Sequence, residues 1–404
     1  MKTRTITSRI GLTGLLLLIV SGCSWFGGDD EVEEIKPTKL TRINEEVNIR
    51  QIWNAKLGKG AQDRAIKLVP AVSASRVFAA SADGKVVALQ ADNGRKIWEQ
   101  KVKSFYSKKE ARNAFAEDVD VITGGVGVGK DIIVVGTAAG ELVALNQSDG
   151  SLAWRTRTSS EVLAPPQVDD DLVVAHTIDG KVGGYDSLDG ERRWIYSTSI
   201  PSLTLRGTTT PIISGEFVIA GFANGRIALL DREHGIAGAD ERVAMATGRS
   251  DLERLVDIDG TMIVTGNKLY VVSFHGRLAA IDLTTGRLSW ARDASSVVGL
   301  GEGFGNIYIA HADSILGAID MGTGRDVWEV EALQHRDITT PVSTGSYIAV
   351  GDYDGYLHII AQSDGRFVGR RRVDGDGILS PVVVDGNRLF VMGNSGRLST
   401  FEIQ

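Results

Sequence analysis

Charged and apolar side chains with a spacing suited to protein binding lie in two short segments of the chain. Leu203 and Leu205 are separated by one residue and are followed by Arg206, and Asp257 and Asp259 are also separated by one residue. Residues i and i+2 of an extended backbone lie on the same side. Protein interfaces often combine an apolar centre with a charged rim. The alternative interpretation is that the leucines pack inward and the aspartates cap turns.

The glycine-rich segment Gly124–Asp131 nearly matches a phosphate-binding loop. Asp131 stands where a serine or threonine hydroxyl would meet Mg²⁺, and its carboxylate would repel phosphate. The following residues, Ile132–Val135, favour a strand where the phosphate site needs a helix N-terminus. We therefore interpret these glycines as tight turns and expect no nucleotide to bind.

Other catalytic and metal-binding motifs are absent from the sequence. It contains no Gly-x-Ser-x-Gly, His-Glu-x-x-His or Cys-x-x-Cys pattern, and its six histidines are scattered. Asp-Gly pairs recur at regular intervals, which is typical of turns. The formal net charge of −7 gives no electrostatic support for nucleic-acid binding. The sequence predicts no catalytic residues, no metal and no cofactor.

The elements that carry the leucine and aspartate pairs are built from eight copies of one β-hairpin pattern. In the clearest copy, a β-favouring run from Arg277 to Ile281 leads into the turn Asp282–Gly286, and Trp290 lies on the returning strand. The copies recur roughly every 40–55 residues, close to the period of a four-stranded propeller blade. They begin at Asp83, Ala139, Asp179, Asn224, His275, Asp313, Asp354 and Ser395.

Most hairpins are preceded by a second pair of short strands, so one repeat has four antiparallel strands. Five of these pairs begin next to a proline, at Pro70, Pro166, Pro211, Pro341 and Pro381. A single repeat cannot bury both of its faces, so the repeats must stack around an axis. The predicted fold class is all-β, an eight-bladed β-propeller of four-stranded antiparallel blades.

The two chain ends predict how the propeller closes. The eighth copy stops at Gln404 before its fourth strand, whereas Gln51–Lys56 is a strand without a preceding hairpin. We expect this N-terminal strand to join the C-terminal blade, because the joint removes an open sheet edge. The fourth and seventh copies lack a tryptophan. The others predict core tryptophans at Trp53, Trp98, Trp154, Trp194, Trp290 and Trp328.

The leucine and aspartate pairs lie on connections between blades. Thr198–Gly207 joins the third and fourth blades, and Arg249–Asp259 joins the fourth and fifth. Both connections precede equivalent strands of adjacent blades, so we expect them to lie side by side on one face. The two pairs and Arg206 would then form one patch.

The N-terminus has the pattern of an exported protein. Residues 1–22 combine positive charges at Lys2, Arg4 and Arg9 with an apolar core that is too short for a transmembrane helix. This pattern predicts a signal peptide. The segment that follows, 23–46, is acidic and has no hydrophobic period, which predicts a flexible tether. Residues 47–404 are predicted to form a single propeller.

Cys23 is the only cysteine, and the run Val20-Ser21-Gly22-Cys23 resembles the bacterial lipobox. In that pattern the cysteine is lipidated and becomes the mature N-terminus. Ser24 stands where lipoproteins of the inner membrane commonly carry aspartate, which by resemblance indicates an outer-membrane destination. The alternative is an ordinary signal peptide followed by an incidental cysteine.

The repeats Ala280–Trp290 and Ala318–Trp328 resemble the blade signature of quinoprotein alcohol dehydrogenases. Those enzymes are eight-bladed propellers that bind pyrroloquinoline quinone, with Ca²⁺ ligands, a catalytic aspartate and usually two adjacent cysteines around the axis. This chain has no second cysteine and no haem motif. A dehydrogenase-like enzyme dependent on pyrroloquinoline quinone stays an alternative. So does a periplasmic glycan-binding propeller, which would need an aromatic cluster at the mouth of the ring.

Cys23, the acidic tether, the eight blades and the segments Leu203–Gly207 and Asp257–Asp259 together resemble the BamB family of outer-membrane assembly factors. The resemblance implies a non-catalytic lipoprotein scaffold on the periplasmic face of the outer membrane. It also implies that a POTRA domain of the β-barrel insertase BamA is the partner. The partner-binding residues would be Leu203, Leu205, Arg206, Asp257 and Asp259. Nascent outer-membrane β-barrel proteins are a second candidate partner, since blade edges can pair with added strands.

Overall fold

The computed structural model describes residues 35–62, 64–107, 109–110, 119–245, 249–250 and 252–404. The predicted signal peptide, the candidate lipidation site Cys23 and the acidic run 24–34 lie outside the described residues. The chain divides into two units, Met1–Lys36 and Pro37–Gln404. The second unit carries every strand found among the described residues.

The strands follow the predicted repeats. Blade 1 consists of β2 (Ala71–Ser73), β3 (Arg76–Ala80), β4 (Lys85–Gln90) and β5 (Lys96–Lys101), and blade 2 of β6 (Ile122–Val128), β7 (Ile132–Thr137), β8 (Glu141–Asn146) and β9 (Leu152–Arg157). Blade 3 consists of β10 (Gln167–Val168), β11 (Leu172–Thr177), β12 (Lys181–Asp186) and β13 (Arg192–Ser197), and blade 4 of β14 (Ile212–Ser214), β15 (Phe217–Gly221), β16 (Arg226–Asp231) and β17 (Ala237–Arg242). Blade 5 consists of β18 (Ile263–Thr265), β19 (Lys268–Val272), β20 (Gly276–Asp282) and β21 (Leu288–Ala294), and blade 6 of β22 (Leu300–Gly303), β23 (Asn306–Ala310), β24 (Leu316–Asp320) and β25 (Asp326–Val330). Blade 7 consists of β26 (Val342–Thr344), β27 (Tyr347–Gly351), β28 (Tyr356–Ala361) and β29 (Phe367–Arg372), and blade 8 of β30 (Val383–Asp385), β31 (Arg388–Met392), β32 (Arg397–Ile403) and β1 (Ile49–Lys56).

Strand order confirms the predicted fold class, an eight-bladed propeller of four-stranded antiparallel blades. Within blades 1–7 each strand pairs with the next strand along the chain. Blade 8 contains both chain ends, because β1 pairs with β32 and places Ile49 opposite Ile403 and Lys56 opposite Arg397. First strands of neighbouring blades contact each other around most of the ring, so they line the axis, and fourth strands form the rim.

Antiparallel order gives the propeller two distinct faces. The turns between first and second strands, and between third and fourth strands, lie on one face, here named the turn face. The turns between second and third strands lie on the other. All connections from one blade to the next also lie there, so it is named the connection face.

Each blade tryptophan joins its blade to the next one. The indole Nε1–H donates to a main-chain carbonyl in the neighbouring turn between third and fourth strands, at 2.9 Å from Trp53 to Ala91 and from Trp98 to Gln147. The ring covers the glycine of that turn, and a Cβ on Gly94 would lie 2.6 Å from Trp53. Four of the six predicted core tryptophans are buried, whereas Trp290 and Trp328 are half-buried. The buried ones are Trp53, Trp98, Trp154 and Trp194.

Blade 7 replaces its tryptophan with the N-terminal segment of the chain. The tryptophan position, opposite Ile359, is Gly369. A Cβ on Gly369 would lie 2.9 Å from Val47 and 3.3 Å from Ile49. These two side chains occupy the space that an indole fills in other blades, so a tryptophan here would clash.

Blade 4 leaves the corresponding space open. Its tryptophan position, opposite Leu229, is Ala239. On the next blade, no atom lies within 4 Å of the place where a Cβ on Gly286 would stand. The junction between blades 4 and 5 therefore lacks the indole that covers the equivalent turns elsewhere.

The interpretation of the glycine-rich segment as tight turns was wrong for Gly124, Gly125 and Gly127, which lie within strand β6, whereas Gly129 lies in the turn that follows this strand. A Cβ would stand 2.7 Å from the carbonyl oxygen of Ala164 at Gly124, and 2.0 Å from that of Pro166 at Gly127. The glycines thus allow an innermost strand to approach the backbone of the next blade. Two register shifts in β6 accompany this close approach.

Part of the predicted tether packs on the propeller. The main-chain N–H of Thr38 donates to Gln334, and that of Glu46 donates to Val368, at 3.0 and 2.8 Å. Leu40 packs against the apolar core of blades 6 and 7. The propeller unit therefore begins near Pro37 and not at residue 47, because hydrogen bonds and an apolar contact hold this segment despite its polar composition.

One 3₁₀ turn, Val102–Phe105, follows blade 1. A search of the described residues for an apolar helix long enough to cross a membrane found none.

Candidate functional site

The two connections that carry the predicted site residues lie side by side on the connection face, as the sequence predicts. One runs from β13 to β14 and the other from β17 to β18. They are joined by a hydrogen bond from the main-chain N–H of Leu205 to Oδ2 of Asp257. Asn224, in the turn between β15 and β16, supports the first connection by donating to the carbonyl of Ser199 at 2.8 Å. The set Leu203, Leu205, Arg206, Asp257 and Asp259 is named the candidate surface.

Asp257 is a buried positioning group and not an exposed one. Its side chain has no solvent exposure, and its main-chain carbonyl accepts a hydrogen bond from Phe274 at 2.8 Å. Burial raises the pKa of Asp257 to about 6, and the hydrogen bond from Leu205 opposes that rise. Oδ1 has no hydrogen-bond partner among the described residues. The carboxylate therefore holds the Leu205 backbone in place at an electrostatic cost.

The two leucines have different surroundings. Leu203 is 41% exposed, so part of its apolar surface is free to contact another protein. Leu205 is half-buried and lines a cavity next to Asp259. Leu203 can thus act as an apolar anchor for another protein, while Leu205 links that anchor to the cavity.

Arg206 is held by a residue that the sequence analysis did not single out. Its Nη2 lies 2.7 Å from Oε1 of Glu161, which belongs to the connection between blades 2 and 3. Asp257 instead accepts a hydrogen bond from Leu205. The Arg206 side chain remains 45% exposed, so it can contact a partner from this fixed position.

Asp259 lines a cavity of about 410 Å³ at the mouth of the ring axis. Residues from the connections of seven blades surround the cavity, which places it on the axis at the connection face. Burial, and then the nearby Asp257, raise the pKa of Asp259 to about 7, and Lys67 opposes this rise. Lys67 also lines the cavity, and burial lowers its pKa while Asp259 opposes that shift.

The chemistry of this cavity fits recognition better than catalysis. Its apolar lining includes Ile66, Leu163 and Val298, and its charged lining residues are Lys67, Arg206, Asp259 and Asp337. Within the described ranges no tryptophan, tyrosine or phenylalanine lines it, which disfavours the glycan-binding alternative. A search of the same ranges for three or more grouped histidine, cysteine, aspartate or glutamate side chains able to hold a metal found none.

Two exposed apolar residues near the candidate surface were missed by the sequence analysis. Met245 is 63% exposed and Leu252 is 67% exposed, and both belong to the connection between blades 4 and 5. The main chain places them nearby, because Ala244 donates to Gly225 at 3.1 Å, next to Asn224. In the sequence, each is an apolar residue within a mostly polar connection. Such a residue predicts a binding site only weakly when the course of the connection is not known.

Known proteins resemble this chain in sequence and in structure. A family model described as "Outer membrane protein assembly factor BamB" matches residues 107–330 and 312–404. A model described as "Glucose/ethanol/alcohol dehydrogenase, beta-propeller domain" matches residues 30–155. The chain is similar to two proteins named outer membrane protein assembly factor BamB. That of Pseudomonas aeruginosa is 40% identical over 96% of this chain and 97% of its own length. That of Yersinia pestis is 32% identical over 98% of both.

Solved structures separate the family from the wider fold. The crystal structure of BamB from Moraxella catarrhalis has a TM-score of 0.77 and 31% identity, and it covers 88% of this chain and 100% of that chain. A quinohemoprotein alcohol dehydrogenase from Pseudomonas putida HK5 has a TM-score of 0.68 at 16% identity, covering 88% of this chain and 76% of that one. The dehydrogenase likeness shows the fold alone.

The full-length matches above 30% identity bear the name of an assembly factor, so the resemblance predicted from the sequence is confirmed. The prediction that the chain is not an enzyme agrees with this family. The chain belongs to the BamB family of outer membrane protein assembly factors.

Proposed function

We propose that this protein is a non-catalytic, lipid-anchored scaffold of the machinery that folds and inserts outer-membrane β-barrel proteins. It is anchored through Cys23 at the periplasmic face of the outer membrane. Its candidate surface binds a POTRA domain of BamA, and it needs no cofactor for this role. Family membership supports the assembly role, and the geometry of the candidate surface supports the binding site.

The observation that carries the binding site is the exposure of Leu203 and Arg206 on a rigidly held connection. The hydrogen bond from Leu205 to buried Asp257 fixes the backbone between these two residues. The ion pair with Glu161 fixes the Arg206 side chain. Because the free surface is already ordered, binding loses little conformational entropy, which favours affinity. Arginine is enriched among the residues that dominate binding energy, and the exposed surface of Leu203 adds an apolar contact beside it.

A pull-down of the BamA POTRA domains tests this proposal. The double variant Leu203→Ala/Arg206→Ala should lose at least about tenfold in affinity, since two residues of this kind each contribute about 1–2 kcal/mol or more. Circular dichroism should show that the variant is folded, because both side chains are largely exposed.

The matched control is Leu188→Ala/Arg287→Ala on the turn face. Leu188 is 86% exposed and Arg287 is also exposed, so the control removes the same residue types from another place. It should bind as strongly as the unmodified protein. Full binding by the Leu203/Arg206 variant, or equal loss in the control, would remove the candidate surface as the binding site.

A further inference from the structure

Residues 37–46, named the strap, cross the rim of blade 7 from one face of the propeller to the other. At one end the main-chain N–H of Thr38 donates to Gln334, on the connection between blades 6 and 7. At the other end Glu46 forms an ion pair of 3.0 Å with Arg366, in the turn that precedes β29. The strap therefore begins on the connection face and ends on the turn face.

Two arginines of the propeller bind main-chain carbonyls of the strap. Arg336 donates from Nη1 to Thr38 at 3.0 Å, and Arg370 donates from Nη1 to Thr41 at 2.8 Å. Between these points the side chain of Leu40 packs against the core that contains Leu333. The contacts are spaced along the strap, so they fix its path and not only one end.

A buried cluster of charges orients these arginines. Arg336 is 2% exposed and donates from Nε to Asp352 at 2.9 Å. His358 is fully buried, contacts Asp352 through Nε2 at 2.9 Å, and accepts at Nδ1 from Arg370 at 3.1 Å. Asp354 binds Arg336 at 2.6 Å. Buried charges are stable only when their hydrogen bonds are satisfied. The main-chain carbonyls of Thr38 and Thr41 in the strap supply acceptors for Arg336 and Arg370.

The strap decides from which face the chain leaves the propeller toward Cys23. When it is docked, the chain leaves the propeller at Pro37 on the connection face, and 13 residues (24–36) separate Pro37 from Cys23 in the sequence. If it were released, the chain would leave at Val47 on the turn face, and 23 residues (24–46) would separate Val47 from Cys23. The faces are about one strand length, roughly 20 Å, apart.

We propose that the docked strap orients the propeller on the membrane, with the connection face and its candidate surface turned toward the lipid. The proposal rests on the lipid anchor of the proposed function, and it does not depend on binding to BamA. In this orientation, the candidate surface would face a partner that lies between the propeller and the membrane.

Energy transfer from the protein to vesicles tests the orientation. The lipidated protein is placed in phosphatidylethanolamine/phosphatidylglycerol vesicles that carry a headgroup acceptor dye. A donor is attached to Ala332→Cys on the connection face or to Ser363→Cys on the turn face, both exposed and both near blade 7. Cys23 carries the lipid, so each variant has one free thiol. Transfer from position 332 should be about twofold higher, given the strand-length separation of the faces.

Variants of the strap supply the decisive comparison. Thr38→Pro/Leu40→Asp removes the hydrogen bond to Gln334 and the apolar contact but leaves the buried charges of the propeller intact. The ratio of transfer between the two positions should fall to one or invert. The control Lys39→Ala/Arg42→Ala changes two exposed strap residues and should keep the original ratio.

Equal transfer from both positions with an intact strap would overturn the proposal. So would an unchanged ratio in the folded strap variant, or a failure of the protein to associate with vesicles. If that variant does not fold, hydrogen exchange of the unmodified protein decides: a protected Thr38 amide supports the docked strap, and rapid exchange excludes it. The vesicles contain no BamA, so failure of the pull-down would leave this result unaffected.

Discussion

At the scale of single residues, Asp257 explains how the candidate surface is built. The sequence predicted that Asp257 would lie next to the Leu203–Arg206 segment, because repeats place equivalent connections side by side. It could not predict that this carboxylate would be buried and would accept the Leu205 N–H. The burial of Asp257 depends on the course of the connection Arg249–Asp259, which does not follow the repeat pattern of the blades.

The partner of Arg206 was also not predictable from the sequence. Its partner, Glu161, lies 45 residues earlier and has a side chain that is only 16% exposed. No spacing rule links the two positions, since each belongs to a different irregular connection. The type of interaction was predictable from the arginine, but its partner was not.

Replacing Asp257 by asparagine should remove one step from the pH dependence of stability. The pKa of Asp257 is about 6 in the folded protein, against about 3.9 in an unfolded chain. The folded state therefore binds more protons between pH 4 and pH 6. As pH rises through this window, the contribution of Asp257 to the free energy of unfolding should fall, by up to about 1.4 kcal/mol per pH unit.

Urea unfolding at pH 4, 5, 6 and 7 measures this contribution. The difference between unmodified protein and Asp257→Asn isolates the step, because other titrating groups mostly cancel. Asp259 is the exception: the nearby Asp257 helps to raise the pKa of Asp259 to about 7, so Asp257→Asn also lowers that pKa, and this change enters the difference. Asp189→Asn, at an exposed turn, is the control. Parallel curves for Asp257→Asn and unmodified protein would show that this carboxyl is not buried in solution.

At the scale of elements, the junctions between blades follow one rule with two exceptions. A tryptophan on each rim strand covers a turn glycine of the next blade and donates to its backbone. The sequence showed which blades lack the tryptophan, but only the structure shows what replaces it. In blade 7 the N-terminal segment fills the space, whereas in blade 4 the small side chain of Ala239 leaves it open.

Introducing the missing tryptophan should therefore stabilise the protein. Ala239→Trp would place an indole over Gly286, with Nε1 near the carbonyl of Leu283, which corresponds to the acceptors in other blades. Burial of the ring and one hydrogen bond should raise the free energy of unfolding by about 1–2 kcal/mol. Urea unfolding measures the change.

Ala237→Trp is the control for this substitution. Ala237 is exposed on the same strand, outside the position that faces the next turn. It should give no gain in stability. A loss of stability in Ala239→Trp would mean that the open space is needed by the backbone of blade 5.

Two elements were misjudged from the sequence for physical reasons. The glycines of β6 resemble turn residues in composition, but they permit close contact between innermost strands. The strap has the polar composition of a free segment, yet its main-chain carbonyls accept hydrogen bonds from the buried Arg336 and the half-buried Arg370. Main-chain hydrogen bonds carry no residue signature, so composition alone could not reveal either arrangement.

At the scale of the whole molecule, the ring closes through the same contacts that join neighbouring blades. β1 completes blade 8 by pairing with β32, and Trp53 then covers Gly94 of blade 1. The sequence predicted this closure fully, because the repeat count and the two incomplete ends admit one solution. The direction in which the chain leaves the ring depends on the strap and was therefore not predictable.

Removing Trp53 tests whether the closing junction is as strong as the others. Trp53 is 8% exposed and Trp154 is 6% exposed, and each donates to the next blade at 2.9 Å. Trp53→Ala and Trp154→Ala should therefore each lower the free energy of unfolding by about 3–5 kcal/mol. The matched pair is compared by urea unfolding monitored by circular dichroism. If Trp53→Ala costs much less than Trp154→Ala, the joint between blades 8 and 1 opens independently, and the ring is held together without it.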